Sequence, residues 1–229
     1  MSKRVAILQS NYIPWKGYFD IIHDVDEFVF LEHVQYTKGD WRNRNRIKTA
    51  NGVRWLSIPV GADDRRRVCD VALPSGWGTK HWRHITESYR KAPYFAAHQP
   101  LLEESYRRPW RTLTEVNQHF IRLIAAELGM STRFVDSRDL DVHSHRQQLV
   151  LDILERLGAG VYVSGPAAKS YIEPERFAER GIELVWKSYG GYPEYPQSHP
   201  PFVHEVTVLD LLFHTGPDAP RYIWGWRTA

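Results

Sequence analysis

Cationic side chains occupy alternate positions in one short segment of this chain, at Arg42, Arg44, Arg46 and Lys48. Two-residue steps turn about 200° around an α-helix, so a helix would scatter these cations over both of its sides. An extended strand would place these cations on one face and Trp41, Asn43, Asn45 and Ile47 on the other. Because a row of like charges repels itself, the spacing predicts a strand that faces a phosphate or carboxylate ligand. The alternative is a solvated edge strand whose charges prevent aggregation.

Composition and charge narrow the class of protein further. The 229 residues are 42% hydrophobic and 25% charged, as in a folded globule, and we expect one domain over residues 1–229. The net charge is only +3, which argues against binding to bulk nucleic acid. From Lys38 to Arg54, however, there are six Lys or Arg residues and one Asp. This local cluster indicates an anionic small-molecule substrate, or an acidic carrier protein, as the partner.

Cysteine usage and hydropathy indicate the cellular setting. A single cysteine excludes an internal disulfide and a cysteine-based zinc site. No apolar run approaches the length of about 18 residues that a membrane span needs, so we expect no membrane span. The first residues lead directly into an apolar strand pattern without a signal peptide, and a cytoplasmic location is therefore expected.

The order of the predicted elements favours an α/β fold. Short apolar runs predict strands at residues 5–9, 27–31, 132–135, 161–163 and 182–186. Amphipathic patterns predict helices at residues 18–23, from 75 or 79 to 91, and at 97–107, 112–128, 145–157 and 206–214. Residues 53–60 and 67–73 are predicted strands that form a ribbon with 41–48. We expect a mostly parallel Rossmann-like sheet with helices on both faces and a small β-ribbon/helical insertion.

The loop after the first strand, residues 9–17, lies where α/β proteins place ligands, beyond the carboxyl end of a strand. It contains neutral hydrogen-bonding residues, an aromatic residue and a cation, which are Gln9, Asn11, Tyr12, Trp15 and Lys16. Backbone N–H groups at the start of the following helix would attract an anion. The loop lacks the glycine spacing of the known nucleotide fingerprints, so a purely structural turn is the alternative.

A second strand-end loop begins at Ser164, whose hydroxyl group is followed by Gly165 for close backbone approach and by Lys169 one turn into a helix. If the sheet is parallel, this loop opens on the same side as residues 9–17. The two loops then predict one shared binding site. Simple turn chemistry is the alternative for this loop as well.

Three titratable residues stand out in the predicted helices. His81 and His84 are three residues apart on one helix face, and a neutral imidazole near pH 7 can remove a proton from an amine or hydroxyl. Either is a candidate general base, and a surface or packing role is the alternative. The pair could share a metal, but the sequence ties no third ligand to them, so no metal site is predicted. Asp210, in an apolar helix, is expected to be a buried carboxylate with an arginine partner.

Long segments of this sequence resemble the WbqC-like family. They are QSNYIPWKGYFDII at 9–22, EFVFLEHVQYTKGDWRNRNRIK at 27–48, WLSIPV at 55–60, YVSGPAAKSYI at 162–172, and YPQ with VTVLDLLFHTG within 195–216. The resemblance implies a setting in bacterial gene clusters for O-antigen and other surface glycans, where a glycine (aminoacyl) transferase role is suggested. The first strand-loop-helix unit is also loosely similar to HIGH-type nucleotidyltransferases. Pro14-Trp15-Lys16-Gly17 stands where their His-x-x-His motif would be.

The residues and the resemblance together predict a transferase that attaches an acyl or aminoacyl group, with glycyl as one candidate, to an amine or hydroxyl acceptor. The donor or acceptor would carry phosphate, as a phosphopantetheine or CoA thioester or a nucleotide sugar does, in surface-glycan or specialised-metabolite biosynthesis. The catalytic candidates are His81, His84, Asn11 and Tyr12. The expected substrate-binding residues are Gln9, Trp15, Lys16, Gln35, Lys38, Arg42, Arg44, Arg46, Lys48, Ser164, Gly165 and Lys169. The alternatives are a HIGH-type nucleotidyltransferase and a non-catalytic module that binds a glycan or a carrier.

Overall fold

A five-stranded parallel sheet forms the centre of the computed structural model, which describes residues 2–228. Its strands are β1 (Arg4–Leu8), β2 (Glu27–Phe30), β5 (Arg133–Asp136), β6 (Val161–Ser164) and β7 (Glu183–Trp186). Their spatial order is β5-β2-β1-β6-β7, and each neighbouring pair is parallel. Strands β2 and β5 therefore lie on one side of β1, and the later strands β6 and β7 lie on its other side. This reversal opens a crevice at the carboxyl ends of β1 and β6, where such folds bind ligands.

Helices cover both faces of the sheet. They are α1 (Lys16–His23), α2 (Trp77–Tyr89), α3 (Phe95–Arg107), α4 (Leu113–Glu127), α5 (Arg146–Leu157), α6 (Glu175–Ala178) and α7 (Val208–Thr215). Because strand residues alternate between faces, Ala6 and Phe28 pack with α1, α4 and α7, whereas Val5 and Val29 pack with α5. The expected fold class is confirmed. Within residues 2–228, no helix is long and apolar enough to cross a membrane.

The small ribbon is an antiparallel hairpin of β3 (Arg44–Thr49) and β4 (Gly52–Ser57). Ile47 and Leu56 are buried in the core on one of its faces, while Arg44 and Arg46 lie on the other. The hairpin confirms the expected ribbon between residues 41–48 and 53–60, and Trp55 lies with Arg44 and Arg46 on the face opposite the core.

The start of β3 differs from the prediction. The alternating segment was expected to be extended from residue 41, but Trp41 and Arg42 lie in the turn before the strand. The backbone N–H of Tyr12 donates to the Trp41 carbonyl at 3.0 Å. This bond attaches the turn to the first loop, which is why the hairpin lies beside the carboxyl end of β1.

The prediction of a strand at residues 67–73 is wrong. Residues Val68–Asp70 form a 3-10 turn. The backbone N–H groups of Val68 and Cys69 donate to the carbonyls of Val34 and Glu32 at 2.9 and 3.0 Å. These bonds tie the segment to the loop after β2 and leave it unavailable to the hairpin. Val68 and Val71, two of the apolar residues that suggested a strand, are buried in the core instead.

Candidate functional site

The two strand-end loops meet over a cavity of about 580 Å³ at the carboxyl ends of β1 and β6. Gln9 and Asn11 line it from the first loop, and Ser164 and Gly165 line it from the second. Arg42 reaches it from the turn before β3. The structure thus brings these five predicted residues together, and we call the space the sheet-edge cavity.

A smaller cavity of about 250 Å³ lies between the first loop and the hairpin. Asn11, Trp15 and Trp41 line both cavities, so the two are adjacent. Arg46 and Glu205 line the smaller one, which we call the hairpin cavity. A ligand in the sheet-edge cavity can therefore extend along Trp15 and Trp41 toward the cationic face of the hairpin.

The hairpin arginines are stacked on tryptophan rings. Arg44 Cζ lies 4.4 Å from the centre of the Trp55 ring, and Arg46 Cζ lies 5.5 Å from that of Trp41 and 5.6 Å from that of Trp55. The two tryptophan ring centres are 5.4 Å apart. The stacking holds both guanidinium groups on one side of the hairpin through cation–π attraction.

Four residues that line the two cavities, and Arg44 on the neighbouring hairpin, carry buried polar atoms without a partner in residues 2–228. Buried atoms without a hydrogen-bond partner in residues 2–228 include Gln9 Oε1, Asn11 Oδ1 and the Nε atoms of Arg42, Arg44 and Arg46. Buried polar groups in folded proteins are nearly always hydrogen-bonded, and each one left unpaired costs about 1–3 kcal/mol. Acceptors and donors gathered in this way indicate a place for a polar ligand.

Two of the four alternating cations already have partners. Lys48 is buried, and its Nζ donates to the Pro201 carbonyl. Arg42 forms an ion pair with Asp40 through Nη1, while its Nε is unpartnered. In this structure Lys48 cannot reach a ligand in either cavity, so its expected substrate-binding role is corrected to a structural one. Arg42 retains one free donor toward the sheet-edge cavity.

Tyr12 and His81 lie in the core behind the first loop. His81 Nε2 lies 3.2 Å from the Ser57 carbonyl and must donate to it, so Nδ1 accepts from the Tyr12 hydroxyl at 2.8 Å. Burial lowers the pKa of His81 to about 4 and raises the pKa of Tyr12 well above its ordinary value. Both groups are neutral at pH 7 and fully engaged inside the protein. Their expected catalytic roles are corrected to a structural role, because neither side chain reaches the cavities.

His84 is on the outer side of α2. Arg54 Nη2 donates to its Nε2 at 3.1 Å, and Glu87 Oε2 lies 3.4 Å from its Nδ1. It therefore faces different partners from His81 and lines neither cavity, which removes the basis for its role as a general base. Among residues 2–228, no group of three or more His, Cys, Asp or Glu side chains could hold a metal ion.

Lys16 begins α1, but its side chain is buried away from the cavities. Its Nζ lies 5.0, 5.4 and 5.8 Å from the ring centres of Tyr192, Tyr195 and Phe202. Burial lowers the pKa of Lys16 to about 8, while the nearby Asp210 carboxylate acts in the opposite direction. The ammonium group is enclosed by aromatic rings of the 192–202 loop. Lys16 therefore stabilises the packing of this loop and lines neither the sheet-edge cavity nor the hairpin cavity.

Asp210 is a buried carboxylate, as expected, but its partners are not arginines. It accepts hydrogen bonds from the hydroxyls of Tyr89 and Tyr195 at 2.8 and 2.7 Å, and from Gln197 Nε2 at 2.9 Å. His214 Nδ1 lies 3.5 Å from the same carboxylate. Asp210 therefore ties α2 and the 192–202 loop to α7, and the arginine prediction is wrong.

Gln35, Lys38 and Lys169 line neither the sheet-edge cavity nor the hairpin cavity. The Gln35 carbonyl accepts a hydrogen bond from Gln9 Nε2 at 3.5 Å, so Gln35 positions a cavity residue. Lys38 is exposed in a turn. Lys169 Nζ lies 5.5 Å from the ring centre of Trp186 at the end of β7. The structure therefore places all three at the edge of the site.

Tyr189 is a cavity residue that the sequence analysis missed. It lines the sheet-edge cavity from the loop after β7, and its Oη would lie 3.5 Å from a Cβ added to Gly165. Burial raises the pKa of Tyr189, so its phenol is a neutral hydrogen-bond donor at pH 7. The sequence contained a signal for this position of Tyr189, because its loop follows a predicted strand and parallel strands end at one edge of the sheet.

The fold and the cavities define an α/β protein with a Rossmann-like sheet, a cavity at the reversal point of the strand order, and an antiparallel hairpin beside it. The model of the WbqC-like protein family matches residues 9–222, and the chain belongs to this family. It is 40% identical over 225 residues to the uncharacterized protein Rv1507c of Mycobacterium tuberculosis (strain ATCC 25618 / H37Rv), a match that covers 96% of this chain and 97% of that protein. No solved structure matches the chain.

Proposed function

We propose that the protein is a transferase that attaches an acyl or aminoacyl group to an amine or hydroxyl acceptor in the sheet-edge cavity. The observation that carries the proposal is that the 9–17 and 164–169 loops meet over one cavity whose polar groups lack partners. A role in the biosynthesis of surface glycans or specialised metabolites fits membership of the WbqC-like family.

A phosphate group on the donor or acceptor would be held beside Arg42. Arg42 Nε is an unpartnered donor, and a guanidinium forms short, charge-assisted bonds to phosphate oxygens. Gly165 has no side chain of its own, so a phosphate could approach the backbone of the second loop beside the Tyr189 hydroxyl. Arg44 and Arg46 add positive potential from the hairpin, which would attract an anionic substrate.

The proposed reaction depends on positioning. The lone pair of the acceptor amine attacks the carbonyl carbon of a thioester, the C–N bond forms, and the C–S bond breaks. The thiolate leaves and takes up the proton released by the nitrogen. Asn11 Oδ1 would accept a hydrogen bond from the acceptor N–H, and the neutral Tyr189 phenol would donate to the carbonyl oxygen as negative charge develops there.

A transfer assay tests this function. A radiolabelled acyl group on CoA or pantetheine is offered with a panel of amine and hydroxyl acceptors to the wild type, to Arg42→Ala and to Arg65→Ala. Arg65 is exposed and lines neither cavity, so it is the matched control. We expect label in the acceptor with the wild type and the control. Transfer by Arg42→Ala should fall about tenfold to a hundredfold, since a charge-assisted hydrogen bond is worth roughly 1.5–3 kcal/mol.

Two results would contradict the proposal. Pyrophosphate release from ATP or CTP without acyl transfer would favour the nucleotidyltransferase alternative. Tight binding of a glycan or carrier with no turnover of any thioester, unaffected by Arg42→Ala, would favour a non-catalytic module.

A further inference from the structure

The hairpin carries an exposed aromatic surface. Trp41 and Trp55 are 40% and 44% exposed, and Val53 on the same hairpin is 40% exposed. The register pairs Arg46 with Trp55, so this tryptophan lies on the cationic face, and Trp41 contacts it from the preceding turn with the ring planes at 34°. Single exposed hydrophobic residues are common, but adjacent ones usually mark a binding surface.

The arginines on this surface are available to a ligand. Arg44 and Arg46 stack on the tryptophans. The nearby ion pair is formed by other residues, Arg42 and Asp40. A guanidinium that lies flat on an indole keeps its N–H groups free in its own plane. The buried Nε atoms of both arginines have no acceptor within residues 2–228. The surface therefore combines flat π-faces with unsatisfied donors.

The position of this surface relates it to the sheet-edge cavity. Trp41 lines both cavities, so a ligand whose phosphate lies beside Arg42 can carry its other end over Trp41. There the hairpin cavity presents an acceptor, the Glu205 carboxylate, and a donor, Arg46 Nε, that has no acceptor within residues 2–228. A planar group with both a donor and an acceptor on its edge matches this set.

We propose that the exposed face of the hairpin, with Trp41, Trp55, Arg44 and Arg46, is a stacking platform for a nucleobase. Together with the proposed function, on which it rests, this makes the phosphate-bearing substrate a nucleotide with its phosphates in the sheet-edge cavity. A base has a π-face that stacks on tryptophan and arginine, and its edge carries hydrogen-bond donors and acceptors. A pantetheine arm or a simple phosphorylated sugar offers no such face.

A calorimetric comparison of ligands that differ only in the nucleoside tests the platform. Pyrophosphate, ADP, GDP, CDP and UDP are titrated into the wild type, into Trp41→Ala and Trp41→Phe, and into Leu101→Ala. Leu101 on α3 is a comparably exposed apolar residue outside both cavities and is the control. The bond from Tyr12 uses the Trp41 backbone carbonyl, which every substitution keeps.

We expect at least one nucleoside diphosphate to bind the wild type about tenfold or more tighter than pyrophosphate. Trp41→Ala should lose this advantage, so its affinity for the nucleoside diphosphate should fall by a larger factor than its affinity for pyrophosphate. Trp41→Phe should keep part of the advantage, and Leu101→Ala all of it. The Phe variant decides the question if the Ala variant does not fold.

Two outcomes would overturn the platform, and they differ in what they imply for the proposed function. If pyrophosphate and every nucleoside diphosphate bind equally well, or if the variants of Trp41 keep the full advantage, the nucleobase platform is wrong and the anion site stands. If neither pyrophosphate nor any nucleoside diphosphate binds the wild type, the proposed phosphate site fails, and the platform fails with it.

Discussion

Charged side chains have opposite surroundings in two regions of this molecule. In α1, the fully buried Asp20 is paired with Lys187 at 2.9 Å and with Arg227. On the hairpin, Arg44 and Arg46 lie on tryptophan rings with Nε groups that have no partner in residues 2–228. The first region pairs its charges in ion pairs, even though Asp20 Oδ1 lacks a hydrogen bond of its own within residues 2–228, whereas the arginines of the second region have no anionic partner there.

This difference indicates where the chain maintains its fold and where it can bind a ligand. A buried charge with several partners is costly to disturb, because removal of one partner leaves another charge unpaired in the interior. A buried donor without a partner beside a cavity lowers the stability of the free protein, and a ligand that pairs with it removes that cost. Whether a charged residue maintains the fold or binds a ligand therefore depends on its partners more than on its charge.

The largest effect on stability is expected from Lys187→Met. The side chain is nearly fully buried and is paired with both Asp20 and Asp24, so its loss removes the most buried cation of this cluster and leaves Arg227 to face two carboxylates. The free energy of unfolding in urea should fall by about 3–5 kcal/mol. The control is Arg133→Met, which removes a largely exposed partner of Glu27 and should cost under about 1 kcal/mol. Equal losses in the two variants would refute the distinction.

A smaller effect is expected from the titration of His81. Burial lowers its pKa from 6.5 to about 4, so between these values the unfolded chain binds more protons than the folded one. The stabilisation is fully present above pH 6.5 and is lost as the pH falls toward 4, by about 3 kcal/mol. Urea unfolding of the wild type and His81→Asn from pH 4.5 to 7 should show a steeper pH dependence in the wild type. Identical slopes would mean that His81 is not held neutral in the core.

The smallest effect on stability is expected on the hairpin. A double substitution of Arg44 and Arg46 by Met keeps the apolar stems on the tryptophans and removes two unpartnered Nε groups. The free energy of unfolding should change by less than about 1 kcal/mol, because the loss of cation–π attraction and the removal of two buried, unpartnered Nε groups act in opposite directions. A loss above about 2 kcal/mol would show that these arginines stabilise the fold.

Local patterns were sufficient to predict most of the fold. The apolar runs of β1, β2 and β6 and the amphipathic stripes of α4 and α5 specify their elements, and the strand-helix alternation implies a parallel sheet. The 67–73 segment was misassigned because its apolar residues fit a strand as well as a buried turn. The distinction depends on backbone bonds to the loop after β2, which are distant in sequence.

The candidate site was only partly predictable, for a similar reason. Ligands bind at the carboxyl ends of parallel strands, which share one edge of the sheet, and this rule correctly predicted that Gln9, Asn11 and Ser164 lie together. It could not show that Tyr12 and Lys16, in the same loop, turn away into the core. The direction of a loop side chain depends on tertiary packing, which a local pattern does not specify.

The central claim is that the polar groups left unpartnered at the sheet edge bind phosphate. The most direct measurement is calorimetric titration of inorganic pyrophosphate into the wild type, Arg42→Ala and Arg65→Ala. The account predicts saturable binding to the wild type and to Arg65→Ala, with an affinity about tenfold to a hundredfold lower for Arg42→Ala. No binding to the wild type, or equal affinity in all three proteins, would contradict it.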